Sequence, residues 1–570
     1  MSMSKNRNYD YESIWRQYAN QEENQRFLSN RPEDLLKICD VYDFKAKEHP
    51  HIAAGIPLYF DSTEQKLYCL RGGPHVGVSG QSGNKKSRCV VRPKIGSCVL
   101  NNKCSFIVND PKGELYDDPA IMHLLQANGY EVHCVNLRNF SGDGLNVLAP
   151  AVRFEKMGEK TKANIYIEKL LGNLLENNPA KDPFWPKEGQ RLIRLTIDIL
   201  KMLLINSAGE EEKFNLASVK SFLRMDFTYI KQIAEMLLEV MPKNLPYNPA
   251  RELLNVLGAA ENTVRSVIIS ASALIEEFAV CEALLKQISI STFEPRKMYQ
   301  QPVALFFIIP DETSGMDCAA SYMMDVVYQE LIDEYTNQYR DNPKGAPRDI
   351  HFIVDECANN RIPNLGSKVS ISRSRQIFFT IVYQNDNGMA ATYEKDWLNI
   401  KYNMNAHIFL GNSNADVLKQ VSEEAGTICR TKEQKAMPAV SIDDLRHMKK
   451  TRTYKDALVI VGDYLYAAKL PDYEVYPMLA ETNEFEPWHD NLKDFDLSVF
   501  TPENLFSQLI SGEISFEEAE IQEVKKNSKS EKKEKNTKKI TNEEEITEDD
   551  VEKKLSELYD ELFGGTEDDS

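Results

Sequence analysis

The segment His75-Val76-Gly77-Val78-Ser79-Gly80-Gln81-Ser82-Gly83-Asn84-Lys85-Lys86-Ser87 constrains this chain more than any other. Its first five residues read as a short buried strand, and Lys86 to Val91 can open a helix, so a glycine-containing turn joins a strand directly to a helix N-terminus. Successive backbone N–H groups in such a turn point at one place and suit a phosphate. A lysine there neutralises phosphate oxygens, and a hydroxyl side chain can hold Mg2+. Within the loop formed by Gly80, Gln81, Ser82, Gly83, Asn84, Lys85, Lys86 and Ser87, the residues that suit these roles are Gly80, Gly83, Lys86 and Ser87. Lys85 does not fit, because the G-x-x-x-x-G-K-[ST] pattern has glycine at that place. If the backbone needs a positive φ there, a side chain costs about 1–2 kcal/mol.

The run His351-Phe352-Ile353-Val354 followed by Asp355-Glu356 supplies a second half. An apolar run that ends in two carboxylates is the pattern of a central parallel strand whose carboxyl end faces a ligand crevice. The pair is either a solvated acidic turn at the strand end or, with the upstream loop, a magnesium ligand at Asp355 and a water-activating residue at Glu356. Asp311-Glu312, after the apolar run Pro302 to Ile309, is a rival magnesium site. Asp110-Pro111-Lys112-Gly113-Glu114 also follows a strand, Cys104 to Val108. It is either an ordinary βα turn or a place where Lys112 lines a nucleotide pocket or channel.

Around these halves the pattern is α/β. A hairpin, Ile56–Phe60 and Lys66–Leu70, precedes the loop, and strands are expected at Glu131–Leu137, Ile377–Val382, Ala406–Leu410 and Ala457–Val461. Helices are expected at Tyr11–Leu28 and Pro32–Tyr42. From about residue 155 to 298 helical periodicity takes over, at Ala163–Leu175, Phe184–Leu204, Phe227–Val240 and Asn262–Gln287. The expected divisions are an N-terminal helical segment (1–50), an α/β domain in two parts (51–155 and 299–480), an inserted all-α domain (156–298), an extension (481–520) and a charged tail (521–570).

The formal charge of −19 excludes a surface that binds nucleic acid generally, so any nucleic acid must meet a local basic region such as a channel. Ten cysteines without a C-x-x-C pair suit buried, reduced thiols, and neither they nor the nine histidines suggest a structural metal. The longest apolar run is far below the ~20 residues that span a bilayer. The tail holds ten Lys and sixteen Asp/Glu, a composition that predicts disorder. Its stripe at Val551, Leu555, Leu558, Tyr559, Leu562 and Phe563 is either a helix that docks on a partner or part of a solvated charged tail.

As a set, several blocks resemble the type IV secretion coupling proteins of conjugation machines, in particular the TraG-like form of Gram-positive mobile elements. They are Ile56-Pro57-Leu58-Tyr59, the phosphate loop with Arg88, Asp110 to Leu115, Asn136-Leu137-Arg138, Phe184-Trp185, Ala304-Leu305-Phe306 with Ile309 to Glu312, the stretch from Asp355 to Arg375, Gln384, and Phe409 to Asn412. The resemblance covers roughly residues 50–480. It implies a RecA-like P-loop motor domain with an inserted all-α domain, a ring of six subunits, ATP and Mg2+ as cofactors, and partners that include relaxase-bound single-stranded DNA or protein cargo. It also implies that Lys86 holds phosphates, Ser87 and Asp355 hold Mg2+, Glu356 places the attacking water, Gln384 senses the γ-phosphate, and Arg373 or Arg375 reaches a neighbour's nucleotide.

Members of that family usually carry an N-terminal membrane anchor that this sequence does not show, so a cytoplasmic protein held at the inner face of the cell membrane by a separate anchor or channel protein is expected. Lys85, Cys357 and Asn360 also depart from the family pattern. Two other functions fit the residues: a nucleotide-binding cargo adaptor that does not hydrolyse, favoured by Lys85, and an FtsK-like double-stranded DNA translocase sharing the motor fold.

Overall fold

The protein is described from a computed structural model covering residues 28–46, 54–71, 75–100, 103–176, 182–205, 210–240, 247–310, 316–341, 348–428, 437–480, 485 and 487–501. The helix expected at Tyr11–Leu28, Asp311-Glu312, and the tail with its Leu555/Leu558/Leu562 stripe lie largely or wholly outside these residues. The chain forms two compact units, residues 1–142 with 294–490 and residues 143–293 with 491–570.

The strands are β1 (Leu28–Ser29), β2 (Cys39–Asp43), β3 (Pro57–Asp61), β4 (Lys66–Leu70), β5 (Val76–Ser79), β6 (Ser105–Asn109), β7 (Glu131–Asn136), β8 (Ser141–Gly142), β9 (Val303–Ile308), β10 (Ile350–Val354), β11 (Ile377–Tyr383), β12 (Ala406–Phe409), β13 (Thr427–Ile428), β14 (Met437–Pro438), β15 (Tyr454–Val461) and β16 (Tyr464–Pro471). An 11-stranded sheet in the order β1-β16-β15-β12-β5-β11-β10-β6-β9-β7-β8 forms the first unit's frame. From β12 across to β7 every neighbouring pair is parallel, and β15, β16 and β8 add antiparallel margins.

Strands β5, β6, β9, β10, β11 and β12 are buried at every position, which is why they read as unbroken apolar runs rather than alternating ones. Val78, Val108, Phe306, Ile353 and Ile408 pack with Val90, Val91 and Ile95 of the helical stretch after the phosphate loop into one core. That stretch begins with a π-helical turn, Ser87–Val91, where the Arg92 N–H donates to the Ser87 carbonyl, and continues as an α-helix, Arg92–Leu100. Pro93 explains the wide turn, since it has no N–H for the carbonyl four residues back and its ring crowds that carbonyl.

The second unit is all-α among the described residues. Its helices are Ala149–Lys156, Lys160–Glu176, Phe184–Leu204, Leu216–Leu223, Phe227–Val240, Pro249–Leu257, Glu261–Phe278 and Glu282–Gln287. Ile193, Ile197, Leu200, Phe222 and Leu274 are fully or almost fully buried. Residues 491–501 return to this unit: the Phe500 ring lies 6.3 Å from Phe222, and the Phe500 N–H donates to Ser218 Oγ at 2.9 Å.

Several expectations need correction. The helix expected over Pro32–Tyr42 is only a 3-10 turn, Pro32–Lys37, followed by β2, whose hydrogen bonds go antiparallel to β4. Pairing across the sheet outweighs the local helical pattern there. The expected helix Asn262–Gln287 breaks at Ala279–Cys281, where extended Cys281 caps the next helix through its sulfur. The units divide at 142/143 and 293/294 rather than near 155 and 298, and part of the expected 481–520 extension belongs to the helical unit. Among the described residues no helix is long and apolar enough to cross a membrane.

His75, just before β5, is only 2% exposed, and its Nδ1 accepts the Phe379 N–H at 3.0 Å. Burial, helped by the Arg373 charge, pushes its pKa down to about 4. A histidine neutral in the fold and titrating near 6.5 when unfolded contributes stability fully above pH 6.5, and loses it as pH falls toward 4. Urea unfolding at pH 7 and pH 4.5 should therefore show lower stability at pH 4.5. The His75 share is up to about 3 kcal/mol, and the difference should shrink in His75→Gln. An unchanged pH difference in that variant refutes the assignment.

Candidate nucleotide site

The site is built where β5, β11, β10 and β6 end. Their parallel registers set Ser79 beside Tyr383, and Val354 beside Ile381 and Asn109, so the residues that follow these strands emerge at one edge. This is the edge at which open α/β sheets bind ligands.

The loop after β5 is fixed by its own backbone and by the segment after β12. The Gly80 N–H donates to the Tyr383 carbonyl at 3.2 Å, and the Gln81 N–H and Asn84 Nδ2 both donate to the Gly411 carbonyl, at 3.0 and 2.7 Å. A Cβ at Gly80 would lie 2.9 Å from the Leu410 Cβ, so close approach requires glycine there. Gly83 has φ +78 with open space around it, and Lys85 also takes a left-handed backbone, φ +61. The loop thus has the shape that glycine usually provides at 85, carried by a lysine at a conformational cost of about 1–2 kcal/mol.

Lys86 is 5% exposed; its Nζ donates to the Gly80 carbonyl at 2.9 Å and lies 3.5 Å from Glu356 Oε1. Ser87 Oγ donates to Asp355 Oδ2 at 2.8 Å. Asn109 Nδ2 donates to the Asp355 backbone carbonyl at 2.9 Å and fixes the strand end, and the Glu356 N–H donates to Asp355 Oδ1 at 3.0 Å and orients the carboxylate. Glu356 adopts φ +49, and Gln384 Nε2 donates to its Oε2 at 3.3 Å. Lys86, Ser87, Asp355, Glu356 and Gln384, singled out from sequence at far-apart positions, are therefore joined in one chain of contacts.

Asp355 is pushed up to about 6, by burial first and by the neighbouring Glu356 carboxylate, against the Ser87 hydrogen bond and the Lys86 charge. A buried carboxylate oxygen beside a hydroxyl oxygen is a hard donor set that fits Mg2+. Divalent charge there would offset the burial that now disfavours ionised Asp355.

Other expected residues sit elsewhere. Arg373 and Arg375 form the short turn before β11, whereas Gln384 follows its far end, seven residues or about 20 Å along the strand. Their guanidinium groups make local bonds to Asn405 Oδ1 and the Ile371 carbonyl, and they do not meet their own chain's phosphate loop. Asp110 accepts the Leu115 and Tyr116 N–H groups and so shapes the turn after β6, while Lys112 is exposed. Cys357 is fully buried with its Sγ 3.3 Å from the Tyr393 hydroxyl.

Sequence reasoning misses the residues that hold the loop from outside. Lys85 Nζ lies 2.6 Å from Asp472 Oδ2, Arg88 donates twice to the same carboxylate at 2.8 and 2.7 Å, and Lys450 Nζ donates to the Gly83 carbonyl at 2.5 Å. Burial works to raise Asp472, but Arg88 and Lys85 outweigh it and hold its carboxyl below the usual range. The available signal was a carboxylate directly after an apolar strand, the same signal that marks Asp355.

Several solved structures are similar to this chain. The bacterial conjugative coupling protein TrwBΔN70, in an unbound monoclinic form, is 13% identical with a TM-score of 0.49 over 78% of this chain and 92% of its own. The plasmid coupling protein TrwB in complex with ADP and Mg2+ is 14% identical, with a TM-score of 0.46 over 73% and 86%. VirB4 of Thermoanaerobacter pseudethanolicus is 14% identical, with a TM-score of 0.39 over 75% and 98%. No curated protein matches the sequence. Residues 34–458 match the family described as type IV secretory system conjugative DNA transfer, a span holding the phosphate loop, the Asp355-Glu356 pair and the helical unit between them, and the chain belongs to that family.

Proposed function

We propose that this protein is an ATP-dependent coupling protein that delivers relaxase-bound single-stranded DNA, or protein cargo, to a type IV secretion channel. The observation that carries this reading is the contact set Lys86–Glu356, Ser87–Asp355 and Gln384–Glu356 at the carboxyl edge of the parallel strands. Family membership supplies the process, and the contact set supplies the chemistry.

In this reading the loop N–H groups and Lys86 bind the phosphates, and Ser87 and Asp355 hold Mg2+. When bound, Mg2+ would neutralise charge on the β and γ phosphate oxygens. Glu356 orients the attacking water once Lys86 turns to the phosphates and leaves its carboxylate, and Gln384 steadies Glu356 meanwhile. Arg373, exposed, and Arg375, half-buried, both far from their own loop, serve the nucleotide of a neighbouring subunit in a ring of six. A partner with membrane-spanning helices holds the ring at the inner face of the cell membrane. The non-hydrolysing adaptor is the second reading, and the left-handed Lys85 favours it, because phosphoryl transfer depends on placement to within about 1 Å.

Two variants separate the readings. Glu356→Gln should keep ATP affinity within about threefold and lower turnover at least about 100-fold, while Lys86→Ala should weaken ATP binding itself by about 100-fold. Equal turnover in wild type and Glu356→Gln would sink the enzyme and leave the adaptor.

DNA binding gives an independent check. With a formal charge of −19 the protein must rely on a small local set of Lys/Arg, so affinity for single strands, measured with nucleotide present, should drop steeply as salt rises and vary little with sequence. Binding that ignores salt, or none at all, counts against a DNA-conducting role.

A further inference from the structure

Lys85 is the residue of the phosphate loop that the general pattern does not account for. Its side chain does not point into solvent: it is 11% exposed, its Nζ lies 2.6 Å from Asp472 Oδ2, and it donates to the Arg452 carbonyl, also at 2.6 Å. Asp472 itself is 1% exposed and follows β16 directly. Its other oxygen receives Arg88, from the first turn after the loop, and the Arg88 guanidinium lies 4.6 Å over the Tyr473 ring. Lys450, on the approach to β15, donates to the Gly83 carbonyl. The segment Gly83–Lys85, left-handed at its two end residues, is therefore held at both ends by the antiparallel margin of the sheet.

A glycine at 85 would adopt the left-handed backbone with no side-chain penalty and would need no partner. A lysine must be held there, and a nearly dry carboxylate beside its ammonium group supplies the hold, since an ion pair in a water-poor setting is weakened little by solvent and salt. We infer that Asp472 is a positioning residue for nucleotide binding: by pairing with Lys85 it keeps the loop backbone left-handed, so that the N–H groups of residues 83–86 face the phosphates. The inference rests on the nucleotide reading of the loop. It assigns to the end of β16 a part in phosphate recognition without phosphate contact.

The test is a double-mutant cycle in the full-length chain, read as the dissociation constant of a fluorescent ADP analogue with Mg2+. Asp472→Asn should weaken binding about tenfold in the natural chain. In the Lys85→Gly background the same change should cost at most about threefold, because only the Arg88 contact is then lost. Equal factors in the two backgrounds overturn the inference. Lys85→Met leaves the Asp472–Arg88 pair intact and guards against misfolding of the aspartate variant. It should bind at least tenfold more weakly than Lys85→Gly, and equal affinities again overturn the inference.

Hydrogen exchange without nucleotide separates this idea from the one it rests on. Amides 83–86 should exchange at least tenfold faster in Lys85→Met than in the natural chain. Unchanged rates overturn the clamp whatever the nucleotide result. Faster exchange in a chain whose natural form binds no nucleotide would sustain the clamp and refute the nucleotide reading.

Discussion

The parallel register of β5, β11, β10 and β6 is the constraint on which the site depends. Because side chains alternate faces along a strand, sliding β10 by one residue against β6 and β11 would turn Asp355 away from Ser87 and bring Val354 to the edge. All four strands are buried on both faces, so such a slip changes little in apolar burial within the strands. What penalises it is polar: Asn109 Nδ2 would lose the Asp355 carbonyl, and Lys86, nearly excluded from water, would lose the carboxylate of Glu356. A buried donor or charge left without its partner costs roughly 1–3 kcal/mol or more. The site therefore helps to set the sheet register that creates it.

Much of this was legible in the sequence because its signals are local. A buried parallel strand shows as a short apolar run whatever its neighbours, and the residue after it marks the ligand edge, so Ser79-Gly80 and Val354-Asp355 could be located with the sequence alone. Phe184–Leu204 and Phe227–Val240 were legible for a similar reason, since each carries a long apolar stripe at helical period. Structure that depends on distant partners was not legible. β2 is a strand only because β4 lies beside it, and β16 follows from a hairpin with β15 through Gly462, which has φ +56. Asp472 matters through Lys85, 387 positions away. No periodicity in the sequence encodes that pairing.

The opposite edge of the sheet shows how charge limits another reading. Cys104, Asp349 and His351 bring potential ligand atoms within 4.8 Å of one another, which alone would suggest a transition metal. Buried Lys94, however, places its ammonium 3.1 Å from His351 Nδ1 and donates to the Ala54 carbonyl. Burial first, and then the Lys94 charge beside the imidazole, keep His351 neutral, and that charge opposes a second cation there. This cluster reads as internal wiring between the strand starts and the helix Arg92–Leu100.

The return of residues 491–501 to the helical unit changes what the end of the chain can reach. The backbone passes between the two units at 142/143, 293/294 and 490/491. The last described residues, anchored by Phe500 on Phe222 and Ser218, leave from the helices and not from the sheet. The acidic stretch beyond Thr501 is thereby joined to the chain at the helical unit. A truncation that removed residues 143–293 alone would also strip the anchor of its support, so a minimal sheet unit has to end near residue 490.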